Sequence, residues 1–117
     1  MIDDEDVVIA VMKQALEFFG YTVEANKSSI EAVEVFRKNP DHYDLVITDM
    51  TMPGITGDKV AKELIMVRPD IPIILFTGYS DLIDENKAKA LGIKEFVMKP
   101  IDSGELAEIV RKVLDKR

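Results

Sequence analysis

The chain has 117 residues, enough for one buried core and too few for two. Hydrophobic residues make up 47% and charged residues 32%, the balance of an ordinary globular domain. A net charge of −7 argues against a nucleic-acid surface, which needs clustered Lys and Arg, and the absence of Cys excludes disulfides, thiolate metal sites and thiol redox chemistry.

Strand-like and helix-like segments alternate along the chain. Val8, Val11, Met12, Ala15, Leu16 and Phe19 fall at helical spacing, and Gly20 stops that helix. Tyr21 to Ala25 reads as a short strand. Ser28 and Glu31 have the spacing of a capping box and open a helix with Ala32, Val33 and Phe36 inside, ended by Asn39-Pro40. Leu45-Val46-Ile47 is a continuous apolar run, as in a strand covered on both faces. Met52-Pro53-Gly54 is a turn; Val60, Ala61, Leu64 and Val67 mark a helix that stops before Pro69. Ile71 to Phe76 is the strongest strand, with Pro72 at its start, where the missing N–H is tolerated. Asp81 to Leu91 reads as a helix capped by Gly92, and Ile93 to Met98 as another strand. Asp102 with Glu105 opens the last helix, with Leu106, Ile109, Val110, Val113 and Leu114 on its core face.

Helices of this length between strands imply right-handed crossovers: an α/β fold with a doubly wound parallel sheet, helices on both faces, and a single domain over residues 1–117. The last helix runs almost to Arg117, which leaves no room for an output domain after it. The acidic opening Asp3-Asp4-Glu5-Asp6 cannot be the basic head of a signal peptide. No apolar run approaches the roughly 20 residues of a membrane helix. The expectation is a cytoplasmic protein without a membrane or nucleic-acid partner.

In an open parallel sheet, ligands bind beyond the carboxyl ends of the strands. Asp3-Asp4 follow Met1-Ile2, Asp49 follows Leu45 to Thr48, Thr77 follows Ile73 to Phe76, and Lys99-Pro100 follows Phe96-Val97-Met98. Singly, each has a plain reading as a turn residue, a strand residue or a solvated charge. Jointly, three carboxylates, a hydroxyl and an ammonium gather on one rim. Three neighbouring carboxylates repel one another unless a cation neutralises them, and Mg²⁺ suits such oxygen donors.

Asp3-Asp4-Glu5, Asp49 with Met52-Pro53 and Gly57, Thr77-Gly78, and Phe96 with Lys99-Pro100 together resemble the response-regulator receiver domains of two-component signalling. The likeness spans essentially the whole chain. It implies a flavodoxin-like five-stranded sheet in the order 2-1-3-4-5, an order taken from the resemblance and not from spacing. It also implies that Asp49 accepts a phosphoryl group from a histidine kinase or phosphotransfer domain, with Mg²⁺ (or Mn²⁺) on Asp4, Asp49 and the Thr51 carbonyl and Asp3 acting through water. Lys99 and Thr77 would contact the phosphoryl group. Thr77 and Phe96 would form the switch, read out on the surface of the fourth helix, fifth strand and fifth helix. Lys99–Pro100 would be a cis peptide. Such a protein catalyses only its own phosphorylation and dephosphorylation. Thr51 and Tyr79 occupy positions that tune dephosphorylation in the family, or are plain loop residues. His42 reads as a surface residue, not a phosphodonor.

The sequence departs from the family in three places. Only Met1-Ile2 stand where members carry four or five apolar residues, so the first strand is truncated. Either upstream residues are missing, or the chain swaps strands, dimerises, or pairs over a stub; a dimer through the switch face or by strand exchange belongs to the same expectation. Phe96 replaces the more familiar Tyr, and Lys27 a Gly. The chain is read as a free-standing regulator or as the C-terminal receiver of a hybrid sensor kinase, which Thr48-Asp49-Met50-Thr51-Met52-Pro53 resembles. A Mg²⁺-dependent aspartyl phosphohydrolase would need an Asp where Thr51 stands. A receiver that binds partners without phosphorylation is disfavoured by the complete Asp3-Asp4, Asp49, Thr77 and Lys99 set. A flavin phosphate would be repelled by Asp3-Asp4-Glu5.

Overall fold

A computed structural model of the chain describes residues 1–78, 85–99 and 102–116. The first part of the expected Asp81–Leu91 helix, the reading of Tyr79, and the cis peptide at Lys99–Pro100 lie outside or extend beyond those residues.

Helix α1 (Asp6–Phe18) ends where Gly20 takes a positive φ of 95°. The Gly20 N–H bonds the Glu17 carbonyl and the Tyr21 N–H the Leu16 carbonyl, the paired bonds of a Schellman stop. Ser28 caps α2 (Ser29–Lys38) by accepting the Glu31 N–H, as the capping box predicts, and a short 3-10 turn (Pro40–His42) follows. Strand β1 (Val46–Asp49) leads to α3 (Gly57–Val67), then β2 (Ile73–Thr77), α4 (Glu85–Ala90) and β3 (Glu95–Met98). Asp102 caps α5 (Ser103–Asp115) by accepting the N–H groups of Gly104 and Glu105.

The three strands run parallel in the order β1-β2-β3, with Asp49 opposite Phe76 and Thr77 opposite Met98. Side chains alternate across a strand, so β2 supplies both halves of the core. Ile73 and Leu75 pack with Val33, Phe36, Val60, Ala61, Leu64 and Ala88, beneath α2, α3 and α4. Ile74 and Phe76 pack with Met12, Leu16, Leu106, Val110 and Val113, beneath α1 and α5. This two-sided cover is why the strand runs are continuously apolar.

Among the described residues the sheet has three strands plus two isolated parallel bridges, Ile2 to Asn26 and Ile2 to Thr48, so the expected five-stranded order is formed only in part. Tyr21–Ala25 forms no strand, because its neighbour is only Met1-Ile2 and a ladder needs consecutive partners. At the truncated strand, Met1-Ile2 pair with their neighbours as a stub. The Ile2 N–H reaches the Ile47 carbonyl at 2.7 Å, the Ile2 carbonyl accepts from Asp49 at 2.9 Å, and the Met1 carbonyl accepts from Asn26 at 2.9 Å. Cavities of about 360 and 370 Å³ flank the stub on the two faces, both bordered by Met1, Val23, Tyr43 and Leu45. In α1 the inward stripe is Met12 and Leu16, whereas Val11 and Phe19 are exposed. Val11 lies one residue, and so about 100°, from Met12, and Phe19 sits beyond the last helical residue.

Candidate functional site

The carboxyl ends of the stub and of the three strands meet at one rim. Asp49 closes β1 and is buried, its N–H fixed on the Ile2 carbonyl. The start of α3 is pressed against the other side of this residue. A Cβ added to Gly57 would lie 2.2 Å from the Asp49 carbonyl oxygen and 2.8 Å from Leu75 Cδ1, so only Gly permits the approach. The Thr48 hydroxyl donates to the same carbonyl at 3.1 Å.

Asp3 follows the stub and is also buried. One of its oxygens accepts the Glu5 N–H at 3.0 Å, and the other faces Lys99 Nζ at 3.3 Å. Lys99 follows β3, its N–H donating to the Thr77 carbonyl at 2.7 Å, which extends the ladder by one residue. Its ammonium stands 3.0 Å from Asp49 Oδ1 and 3.7 Å from Glu5 Oε1. Burial works to lower the Lys99 pKa, but the hydrogen-bonded Asp49 and the charge of Asp3 overcome it and hold the ammonium above its ordinary value.

Asp3, Asp4, Glu5 and Asp49 each present an oxygen within 4.8 Å of the others. Four carboxylates around one ammonium leave an excess of negative charge in a partly buried place. A small divalent cation with a preference for carboxylate oxygen fits that donor set, as Mg²⁺ does.

Thr77 closes β2 and is buried, and its hydroxyl donates to Met98 Sδ at 3.2 Å. Phe96 is half-buried and packs against the core patch that contains Ala88 and Ile93. The sequence-predicted Asp3, Asp4, Asp49 and Lys99 are therefore brought together, with Thr77 on the adjoining strand end. Thr51 is exposed in the loop after Asp49. His42 lies elsewhere, its Nε2 at 3.2 Å from Glu24, which also accepts the Tyr43 hydroxyl.

Glu5, part of the Asp3-Asp4-Glu5 motif but given no ligand role from the sequence, joins the acidic cluster. Two further participants had no role assigned from the sequence. Ser29 is buried, donates to the Pro53 carbonyl at 3.1 Å and accepts from the Ile55 N–H at 3.0 Å. It thereby ties α2 to the loop that follows Asp49. Met98, read as a strand residue, accepts the Thr77 hydroxyl; the only hint was that both residues end their strands.

Among the described residues no helix is long and apolar enough to cross a membrane. The family model for the response regulator receiver domain matches residues 1–111. The chain is 32% identical over 117 residues to the C4-dicarboxylate transport transcriptional regulatory protein DctD of Rhizobium meliloti, covering 100% of this chain and 25% of that protein. It is also 32% identical over 117 residues to the sensor kinase CckA of Brucella abortus, covering 12% of that protein. A response regulator receiver domain protein from Clostridium thermocellum superposes with a TM-score of 0.92 at 31% identity, over 98% of this chain and 91% of that one. The chain thus spans a quarter or less of these two curated relatives and nearly the whole of the solved domain.

Proposed function

The chain belongs to the response regulator receiver domain family of two-component systems, and from that premise we propose that Asp49 is its phosphoacceptor. The observation that carries the proposal is the Asp49 carboxylate, buried at the end of β1, paired with Lys99 at 3.0 Å and set among three other carboxylates.

In the proposed reaction an Asp49 oxygen attacks the phosphorus of a phosphohistidine on a sensor kinase or phosphotransfer domain. The O–P bond forms as the N–P bond breaks, and the imidazole leaves. Asp4, Asp49 and the Thr51 carbonyl, with Asp3 through water, would hold a Mg²⁺ or Mn²⁺ ion, which offsets charge on the transferring oxygens when bound. Lys99 supplies fixed positive charge to the same oxygens, and its pairing with Asp3 and Asp49 holds it in place beforehand. The Thr77 hydroxyl leaves Met98 and donates to the acquired phosphoryl group. Phe96, on the same face of the sheet two residues from Met98, then turns inward and alters the surface formed by α4, β3 and α5. The domain catalyses only its own phosphorylation and its loss.

We further read Met1-Ile2 and Asn26 as the remnants of two more strands, giving the order 2-1-3-4-5 with Ile2 between Asn26 and Thr48. The whole protein is a free-standing regulator or the receiver of a hybrid kinase. The likeness to DctD, a transcriptional regulatory protein, and to CckA, a sensor kinase, is compatible with either setting.

The test is intact mass after incubation with Mg²⁺ and acetyl phosphate, beside Asp49→Asn. A labile gain of one phosphoryl group in the parent alone is expected. A folded parent that gains nothing, or a variant that still gains it, overturns the assignment.

A further inference from the structure

The last residues of β2 and β3, Thr77 and Met98, are cross-strand partners. The alternation of side chains places both on the α4 face of the sheet, with Leu75 and Phe96. There the buried Thr77 hydroxyl donates to Met98 Sδ at 3.2 Å. A thioether is a weak acceptor, so this bond holds the hydroxyl lightly and yields to a phosphoryl oxygen. Met98 is nevertheless 43% exposed, whereas Met12, Met50 and Met52 are buried. A methionine that is partly open to solvent, and whose polarizable sulfur meets the Thr77 hydroxyl, is open to reagents that the other three are shielded from.

We propose that Met98 is a site of oxidation by hydroperoxides, and that its sulfoxide holds Thr77 in the resting position and slows phosphorylation of Asp49. The consequence for phosphorylation rests on the phosphoacceptor reading above; the chemistry at Met98 does not. A sulfur lone pair attacks one peroxide oxygen, and an S–O bond forms as the O–O bond breaks. Sulfur is oxidised by two electrons, the peroxide is reduced by two, and its other oxygen leaves as water or an alcohol after taking up the transferred proton. The product exchanges a weak acceptor for a polar one at the same place. The Thr77 hydroxyl then has a strong partner that it must give up before it can reach a phosphoryl group, and a polar group now stands beside Phe96 on the face that moves.

Met66 is 71% exposed on α3 and serves as the internal control, because it oxidises readily but contacts neither Thr77 nor Lys99. The experiment treats Met66→Leu protein with hydrogen peroxide, locates the added oxygen by peptide mass mapping, and follows acetyl phosphate labelling with Mg²⁺. Oxidised protein should label roughly threefold to tenfold more slowly, the factor that one hydrogen bond's net contribution corresponds to. Met66→Leu/Met98→Leu protein should be insensitive to peroxide. A labelling rate unchanged by oxidation at Met98, or slowed equally in the double variant, overturns the proposal. The methyl resonance of Thr77, recorded without any phosphodonor, is the second readout: it should shift on oxidation of Met66→Leu protein and stay still in the double variant. Failure of the unoxidised protein to label at all would count against the phosphoacceptor reading, and the Thr77 shift would still decide whether Met98 oxidation reaches the switch.

Discussion

Lys99 Nζ stands 3.0 Å from Asp49 Oδ1 and 3.3 Å from Asp3 Oδ2, so one ammonium from the end of β3 holds two buried carboxylates, one closing β1 and one following the Met1-Ile2 stub. Removing it takes one cation away from both buried acids, which is the costly way to break a buried pair. Lys99→Ala is therefore expected to slow acetyl phosphate labelling on the order of a hundredfold, as loss of one preorganised charge donor does. It should not weaken Mg²⁺ binding, because the site becomes more negative. A Mg²⁺-dependent rise in melting temperature that disappears in Lys99→Ala would show that the ammonium has been misplaced in the chemistry.

Crowding of like charges makes a different prediction for Asp4. Asp4, Asp3, Glu5 and Asp49 converge within 4.8 Å, so neutralising one acid relieves repulsion in the metal-free protein. Asp4→Asn should melt no lower than the parent without Mg²⁺, and should lose most of the stabilisation expected of Mg²⁺ in the parent. A bound metal would contribute about 2.7 kcal/mol when free metal is a hundredfold above Kd. An unchanged Mg²⁺ response, read by thermal melts across a metal series, would place the ion elsewhere.

Gly57 tests the packing behind the site. An added methyl would sit 2.2 Å from the Asp49 carbonyl oxygen, and backbone cannot swing away as a flexible side chain can. Gly57→Ala is expected to cost about 1–3 kcal/mol by overpacking. It should also slow labelling of Asp49, since the strain falls on that residue. Urea denaturation with a loss below a few tenths of a kcal/mol would mean that α3 is free to back away from β1.

Tyr43 gives the protein a signature at high pH. Burial raises its pKa from 10.0 to about 12, aided by the hydrogen bond it donates to Glu24. The folded state thus holds the phenol proton more tightly than the unfolded state. Its contribution to stability is complete below pH 10 and is lost as pH climbs through about 12. Ultraviolet titration should resolve a late tyrosinate component that Tyr43→Phe removes. The same hydrogen bond, with that of His42, holds the Glu24 carboxyl below its ordinary range. A Tyr43→Phe titration that keeps the late component would refute the pairing.

Much of the site was legible in the residue order, and for a local reason. Thr77 and Lys99 stand directly after an apolar run and Asp49 one residue beyond one, and a run of that kind marks a buried strand whatever its neighbours are. The N-caps at Ser28 and Asp102 and the stop at Gly20 were legible in the same way, since each is a contact within one turn of helix. Where the pattern failed, the deciding contact was distant. Tyr21 to Ala25 has the composition of a strand but lacks a partner long enough to pair with, and Val11 and Phe19 share the helical spacing of Met12 and Leu16 yet face solvent.

Local order alone therefore determined that strand and helix alternate along the chain, and which polar residues end its strands. Only the tertiary structure decided that Ile2 is held from both sides as a two-residue stub, that Ser29 anchors the loop after Asp49, and that the Thr77 hydroxyl rests on Met98. The physical reason is that periodicity records which face of its own element a residue occupies. Register between elements far apart in the chain is set by packing across the sheet, and no stretch of neighbouring residues encodes it.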